Sequence, residues 1–395
     1  MSILVKVKEI IYLLIILGSI PCFTYAQNNS DSLKNDWGIN WEIGADAEWN
    51  DNVFKLSTSQ MDRMNLNDSG DVVSGRFNDM ESINDIILSI VPQIEIKTKK
   101  GLFDRSLSFS GKIGYQHFIH NNKRSNVKLG LSVQQKISKS GKIELLGEYA
   151  PSIFLKNYLA EATDTTGGVS PAERIYLEGV YNELELLLSY HHRFRKWIMD
   201  AKGNLFLGYR TRNYDDWFTG RNQDAIKAGL SGEIEPAKWM IFKLGYYIES
   251  VNSPITPEVM ILDEPDYQID FNNDRDFADN NRRTIQTVNR SRTSQNIEIG
   301  LNVIPVKHLV IIGELKFRFK DYESQEPIDP NYKDRKDTKT KYAFGIEYRI
   351  VKGLFLMFKF ESTTQQTNRV GDPESDGEIT DYKTQITKAG IKWLF

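Results

Sequence analysis

Leu309-Val310-Ile311-Ile312-Gly313-Glu314-Leu315-Lys316-Phe317-Arg318-Phe319-Lys320, followed after a polar stretch by Lys341-Tyr342-Ala343-Phe344-Gly345-Ile346-Glu347-Tyr348-Arg349-Ile350, decides how this chain reads. In the first, Leu309, Ile311, Leu315, Phe317 and Phe319 alternate with Glu314, Lys316, Arg318 and Lys320. In the second, Tyr342, Phe344, Ile346, Tyr348 and Ile350 alternate with Lys341, Glu347 and Arg349. A period of two gives a strand with one apolar and one polar face. Each run extends ten residues or more, long enough for a tilted strand to cross a bilayer.

Working outward, the same pattern predicts fourteen strands, near 37–50, 83–97, 103–119, 124–138, 141–155, 174–192, 196–212, 222–235, 238–251, 293–304, 307–322, 339–350, 353–365 and 382–395. Every second connection is tight, among them Lys99-Lys100-Gly101, Lys139-Ser140-Gly141, Phe194-Arg195-Lys196, Pro305-Val306-Lys307 and Val351-Lys352-Gly353. The alternate connections, 51–82, 156–173, 252–292, 323–338 and 366–381, are mostly long and polar. Loops segregated by length, with an even strand count, predict an all-β fold. It is a transmembrane antiparallel up-and-down barrel of about fourteen strands, with short periplasmic turns and long extracellular loops.

The beginning of the chain agrees. Lys6 and Lys8 precede the apolar run Ile10–Ile20, and Thr24-Tyr25-Ala26 supplies small residues at the −3 and −1 positions of a cleavage site. Residues 1–26 therefore read as a cleaved signal peptide, 27–36 as a short periplasmic segment and 37–395 as the barrel, in the outer membrane of a Gram-negative cell. Near the other end, Ala389, Ile391, Trp393 and Phe395 share one face. Ile391, Trp393 and Phe395 resemble the C-terminal signal that the barrel-assembly machinery reads in outer-membrane proteins. Trp37, Trp41, Trp49, Trp197, Trp239, Tyr348 and Trp393 fall near strand ends, where aromatic girdles meet the membrane boundary.

Composition narrows the function. A net charge of −3 over 395 residues excludes a general nucleic-acid binder. A single cysteine, Cys22, within the signal segment excludes a disulfide scaffold and a cysteine-based zinc site. A mean hydropathy of −0.44 with 40% hydrophobic residues is too polar for a helical membrane bundle, as expected where half of each strand faces water. None of the five histidines, His117, His120, His191, His192 and His308, stands in a catalytic motif, and no phosphate-cradling glycine loop or HExxH is present, so no enzyme, metal site or cofactor is expected.

The polar faces point to a lumen. Its expected pore-lining residues are Glu42, Asp46, Glu48, Glu144 and Glu148 toward the N-terminal strands, and Lys316, Arg318, Lys320, Arg349, Lys388 and Lys392 toward the C-terminal ones. Two arrangements follow. Opposed walls of opposite sign would set a transverse field across water, whereas neighbouring charges paired into ladders would simply satisfy a polar interior. Fourteen strands fall between the side-chain-filled barrel of eight and the aqueous channel of sixteen to eighteen. The longest loop, 252–292, is expected either to constrict the lumen or to project outward. Within it, Asp270, Asn272 and Asp274 alternate as in a calcium loop but lack its glycine and closing glutamate, which favours a solvated acidic segment. Arg282, Arg283, Arg290 and Arg292 could pair with lipopolysaccharide phosphates or with lumen acids, but such a run is more often a solvated approach to a strand.

The stretch Glu48-Trp49-Asn50-Asp51-Asn52-Val53-Phe54 resembles the end of the first strand in a family of β-barrel porins (type 2), where an aromatic residue precedes Asp-Asn, an aliphatic and a second aromatic. The resemblance implies an outer-membrane barrel, with exopolysaccharide secretion associated with several family members. The expected function is a porin-like channel for passive passage of small polar solutes or saccharide material. The alternative is a closed barrel serving as scaffold or adhesin through its loops. Outer-membrane lipids, lipopolysaccharide and the assembly machinery are the expected partners.

Overall fold

The computed structural model describes residues 37–58, 60–61, 80–99, 101–160, 175–196, 199–261, 283–324, 332–368 and 381–395. The expected signal peptide, the 27–36 segment and the acidic stretch 263–276 lie outside them. Ile39–Phe395 form one compact unit.

Fourteen strands close into a barrel: β1 (Trp37–Asn50), β2 (Asp85–Thr98), β3 (Leu107–Phe118), β4 (Asn126–Lys136), β5 (Gly141–Ala160), β6 (Ile175–Lys196), β7 (Met199–Tyr214), β8 (Gln223–Ala237) and β9 (Met240–Asn252), then β12 (Arg292–Val306), β13 (Leu309–Tyr322), β14 (Lys336–Val351), β15 (Leu354–Thr367) and β16 (Tyr382–Leu394). The two remaining strands, β10 (Thr256–Ile261) and β11 (Arg283–Val288), pair only with each other. The strands pair antiparallel, and consecutive barrel strands lie side by side, with β9 beside β12 and β1 closing the ring against β16. No edge is left open, which abolishes the unpaired backbone that a membrane cannot satisfy.

The alternation decides which way each side chain points. Leu129, Leu131, Leu145, Leu186, Leu188, Leu205, Leu207, Leu230, Leu244, Phe344 and Phe358 are exposed on the outer surface, forming an apolar belt that water would not tolerate and lipid does. Trp41, Trp49, Trp239 and Tyr348 are exposed too, and Trp393 stacks on Phe395 with ring centroids 4.8 Å apart. The side chains of Trp37 and Trp197 lie outside the described residues.

Irregularities collect where proline removes a backbone donor. Register shifts between Ala150 and Ile153, Ile234 and Ala237, and Val303 and Val306 each hold a proline (Pro151, Pro236, Pro305) that cannot give an N–H to the ladder, while two others, at Phe154/Lys156 and Arg349/Val351, hold none. Gly353, at φ +86°, lets the chain reverse between β14 and β15 in two residues.

Several expectations are corrected. The strand placed from residue 103 starts at Leu107, because Leu102–Asp104 form a 3-10 turn. The expected turn Phe194-Arg195-Lys196 is strand, since β6 runs to Lys196 and β7 begins at Met199. Val306 likewise belongs to β12, leaving Lys307 and His308 as the turn.

Candidate functional site: the lumen wall and the turn that enters it

The inward faces of the strands carry the charges, and adjacent strands pair them. Lys112 and Lys128 both reach Glu148, at 2.5 and 2.6 Å. Arg212 meets Glu183 at 2.5 Å, Lys227 meets Glu185, and Arg210 meets Glu249 at 2.7 Å. Lys316 sits opposite Glu298 in register, 3.2 Å away. Glu361 takes Lys341 and, at 2.8 Å, Lys359, which also reaches Glu314 at 3.3 Å. Across the β1–β16 seam, Lys388 meets Asp46 at 2.9 Å and Lys392 meets Glu42 at 2.8 Å.

The ladder arrangement is thus the one built. Acids and bases alternate around the wall instead of dividing it into a negative and a positive side, because a strand's inward residues find counter-charges one strand away, about 5 Å off. Of the expected pore-lining residues, Glu42, Asp46, Glu148, Lys316, Lys388 and Lys392 are joined in these pairs. Glu144 accepts from Gln134 Nε2 and lies 3.1 Å from His191 Nε2. Arg318 donates to Asn296 Oδ1 at 2.6 Å and reaches the Tyr247 hydroxyl at 3.4 Å. Lys320 lies 4.0 Å from Asp337. Glu48 faces Lys388 in register but makes no ion pair among the described residues, since Lys388 is taken by Asp46. Arg349 stands at the short-turn rim, donating to His308 Nδ1 at 2.8 Å.

At the long-loop end, the connection after β1 turns inward. Asn50 Oδ1 accepts from the Asn52 N–H at 3.0 Å, and Asp51 Oδ1 accepts from the Gln385 N–H at 2.6 Å. Asn52 donates to the Lys383 carbonyl at 3.0 Å. Val53 packs with Ile87 and Phe118, while Leu56, wholly buried, packs with Phe54, Met61, Met80 and Ile83. Arg124 closes the turn from the β3–β4 connection, donating to the Val53 carbonyl at 3.1 Å with its guanidinium 4.5 Å from the Phe54 ring centroid. Burial lowers the Arg124 pKa to about 10, against the raising effect of Tyr181 and Asp85.

Lys55 is the tip of this turn, held at φ +58°, a conformation that lysine adopts only when its surroundings impose it. Its side chain is water-accessible, yet burial among protein atoms lowers its pKa, and Arg124, Arg212, Arg318 and Lys341 lower it further. Arg212 lies on β7, six strands around the ring from β1. Lys55 is thus within electrostatic reach of charges on β7, β13 and β14 as well as on the β3–β4 connection. The sequence left 252–292 either constricting the lumen or projecting outward; its described part includes the β10–β11 hairpin, whereas residues 51–58 form a turn tied to β16 and to the β3–β4 connection. The Asp-Asn run was the visible signal, although its spacing alone does not reveal which way the turn points.

Arg290 and Arg292 are not a solvated approach. Arg290 is buried, donating to the Tyr332 hydroxyl at 3.2 Å and reaching the Gly220 carbonyl at 3.4 Å. Arg290, Tyr332, Arg335, Tyr322 and Arg292 interleave as a stack of guanidiniums and rings, with centroid distances of 4.7 to 5.9 Å. Arg283 lies on β11, and Arg282 falls outside the described residues.

A closed fourteen-strand barrel with an apolar outer belt and a charge-laddered interior is an outer-membrane β-barrel of channel-like form. No protein-family model matches this chain, and no curated protein does. Among solved structures, it is similar to a bacterial polysaccharide outer membrane secretin at 8% identity, covering 90% of this chain and 98% of that one with a TM-score of 0.38. It is also similar to an anion-selective porin from Comamonas acidovorans (9%, 91% and 99% coverage, TM-score 0.38) and to the outer-membrane-expressed OmpT of Vibrio cholerae (7%, 93% and 100% coverage, TM-score 0.41).

Proposed function

We propose that this protein is an outer-membrane channel for the passive passage of small polar solutes or saccharide material, with Lys55 narrowing the path. The observation that carries the reading is the exposed Lys55 at the tip of a pinned turn, within electrostatic reach of Arg212, Arg318 and Lys341 on β7, β13 and β14. A barrel that served only as a scaffold has no need of a pinned, strained turn aimed into its interior. Selection then falls to the width of the path at residues 51–58 and to the charges around it. The inward side chains Glu42, Asp46, Glu48, Glu144, Glu148, Lys316, Arg318, Lys320, Arg349, Lys388 and Lys392 line or border that path in this reading. The outward face ending in Ile391, Trp393 and Phe395 is what the assembly machinery recognises.

Single-channel recording of refolded protein in a planar bilayer tests it. Steady ohmic steps are expected. Silence from protein whose heat-modifiable gel mobility shows it folded overturns the channel and leaves a closed barrel that works through its outer loops.

A further inference from the structure

At the short-turn end, residues of β2 through β8 and of the turn between β4 and β5 surround a cavity of about 680 Å³. Its cations among the described residues are Lys97, Lys136, Lys139, Lys142, Arg193 and Lys202, joined by His191, while Glu233 is the one acid among the described residues of its lining. Seryl, glutaminyl and asparaginyl side chains fill the intervals.

The acids at hand are already engaged. Glu233 holds Lys202 at 2.9 Å and Lys243 at 3.6 Å. Asp200 accepts from the guanidinium of Arg193, with Nε 2.9 Å from Oδ1, and Glu144 is shared by His191 and Gln134. The ammonium groups of Lys97, Lys136, Lys139 and Lys142 have neither a hydrogen bond nor an ion pair among the described residues.

The register makes this more pointed. Lys136 lies opposite Lys142, which in turn lies opposite His191. Like charges facing each other across a ladder are unfavourable, and some such pairs in this lumen are compensated. Lys316 faces Lys341, but Glu298 and Glu361 answer them. Glu148 faces Glu185, but lysines answer both. Lys136 and Lys142 face each other with no acid paired to either among the described residues, as Arg318 and Lys339 do nearer the long-loop end.

We infer that this cavity is a binding vestibule for a small solute bearing two or more carboxylate or phosphate groups, entered from the short-turn side. This rests on the channel reading and adds a substrate class to it. The arrangement suits a multivalent anion, since one charged group can be shared by Lys136 and Lys142 while a second reaches Lys97 or Lys202, and the surrounding amides and hydroxyls donate to the remaining oxygens.

The experiment uses citrate and pyrophosphate as probes in planar-bilayer recordings, added to one side at a time. Block is expected from the short-turn side, and the stronger probe distinguishes carboxylate from phosphate preference. The variant K97Q/K136Q/K142Q is expected to raise the half-blocking concentration roughly tenfold. A triple with the same change of charge on the other turns, K238Q/K307Q/K352Q, is expected to leave it unaltered. Equal weakening in the two triples, or block indifferent to side, overturns the site. The single K136Q serves if the triple does not fold. If the wild type forms no channels, calorimetric titration of the folded protein with either probe separates the two claims: heat abolished in the K97Q/K136Q/K142Q variant supports the vestibule although the channel reading has failed, and no binding overturns the vestibule as well.

Discussion

The Asn52 carboxamide holds Leu56 by both of its backbone groups: Oδ1 accepts from the Leu56 N–H and Nδ2 donates to the Leu56 carbonyl, each at 2.8 Å. With the bond to the Lys383 carbonyl, one side chain fixes the five-residue turn and ties it to β16. Asn52→Ala leaves these groups unpaired in a buried setting and is expected to cost about 1–3 kcal/mol. A lowered temperature for the heat-modifiable gel shift, together with a larger or noisier unit conductance, checks both the anchor and the turn's place in the path. An unchanged conductance would remove the turn from it.

Lys55 gives the second prediction. Lys55→Gln removes one lumenal charge and is expected to lower the chloride-to-potassium permeability ratio roughly twofold, read as a reversal-potential shift in a salt gradient. Because burial, reinforced by Arg124, Arg212, Arg318 and Lys341, lowers its pKa below the ordinary 10.5, the charge is lost at a lower pH than for a solvated lysine. Anion preference is therefore expected to fall as pH rises into that range. Lys55→Arg, which stays charged, should flatten the decline; a profile identical in the wild type and the arginine variant would rule Lys55 out as its source. The sign for stability is opposite: the unfolded chain holds this proton more tightly, so the cost of burying it is relieved as pH rises.

Arg335 and Asp337 supply the third. Both are buried, and the guanidinium donates to both carboxylate oxygens, at 2.8 and 3.0 Å. Burial works against the Arg335 charge, but the Asp337 hydrogen bonds and the neighbouring tyrosines outweigh it and hold its pKa above the usual guanidinium value. Arg335→Ala strands the aspartate and is expected to destabilise the barrel by about 3–5 kcal/mol. Adding Asp337→Asn should recover part of this in urea titrations, and a strictly additive double mutant would mean that the pair does not act as one.

Gly390 tests the seam. A Cβ there would lie 2.7 Å from that of Asp46 and 2.8 Å from the Ala45 carbonyl. Gly390→Val is expected to abolish the fast-migrating folded band on unheated gels. Gly313→Ala, whose new methyl would meet only the Leu301 carbonyl at 3.9 Å, should preserve it.

The barrel itself was legible because alternation and loop length act over whole strands: all fourteen were visible, with ends displaced by a few residues. What escaped is what a period of two does not encode. β10 contains Pro257, which argues against a strand, and each strand of its hairpin is only six residues long. Arg290 and Arg292 look solvated in one dimension because Tyr322, Tyr332 and Arg335, which enclose them, come from the next connection. The charge ladders depend on register, and register depends on which residue faces which across the sheet. The inward turn was visible as an unusual Asp-Asn run, but its direction is set by Lys383, Gln385 and Arg124, remote in the sequence.

The seam also bears on when the barrel can form. Hairpins account for nearly all of the neighbouring strands, so most of the sheet can be assembled from local pairings as each segment emerges. The pairing of Trp41 with Phe395, whose N–H donates to the Trp41 carbonyl at 2.9 Å, joins the two extremes of the barrel. A nascent chain lacking β16 therefore carries two unsatisfied edges, on β1 and β15, and cannot enter lipid as a finished cylinder. Closure is in effect a length check, passed only when the last strand has arrived.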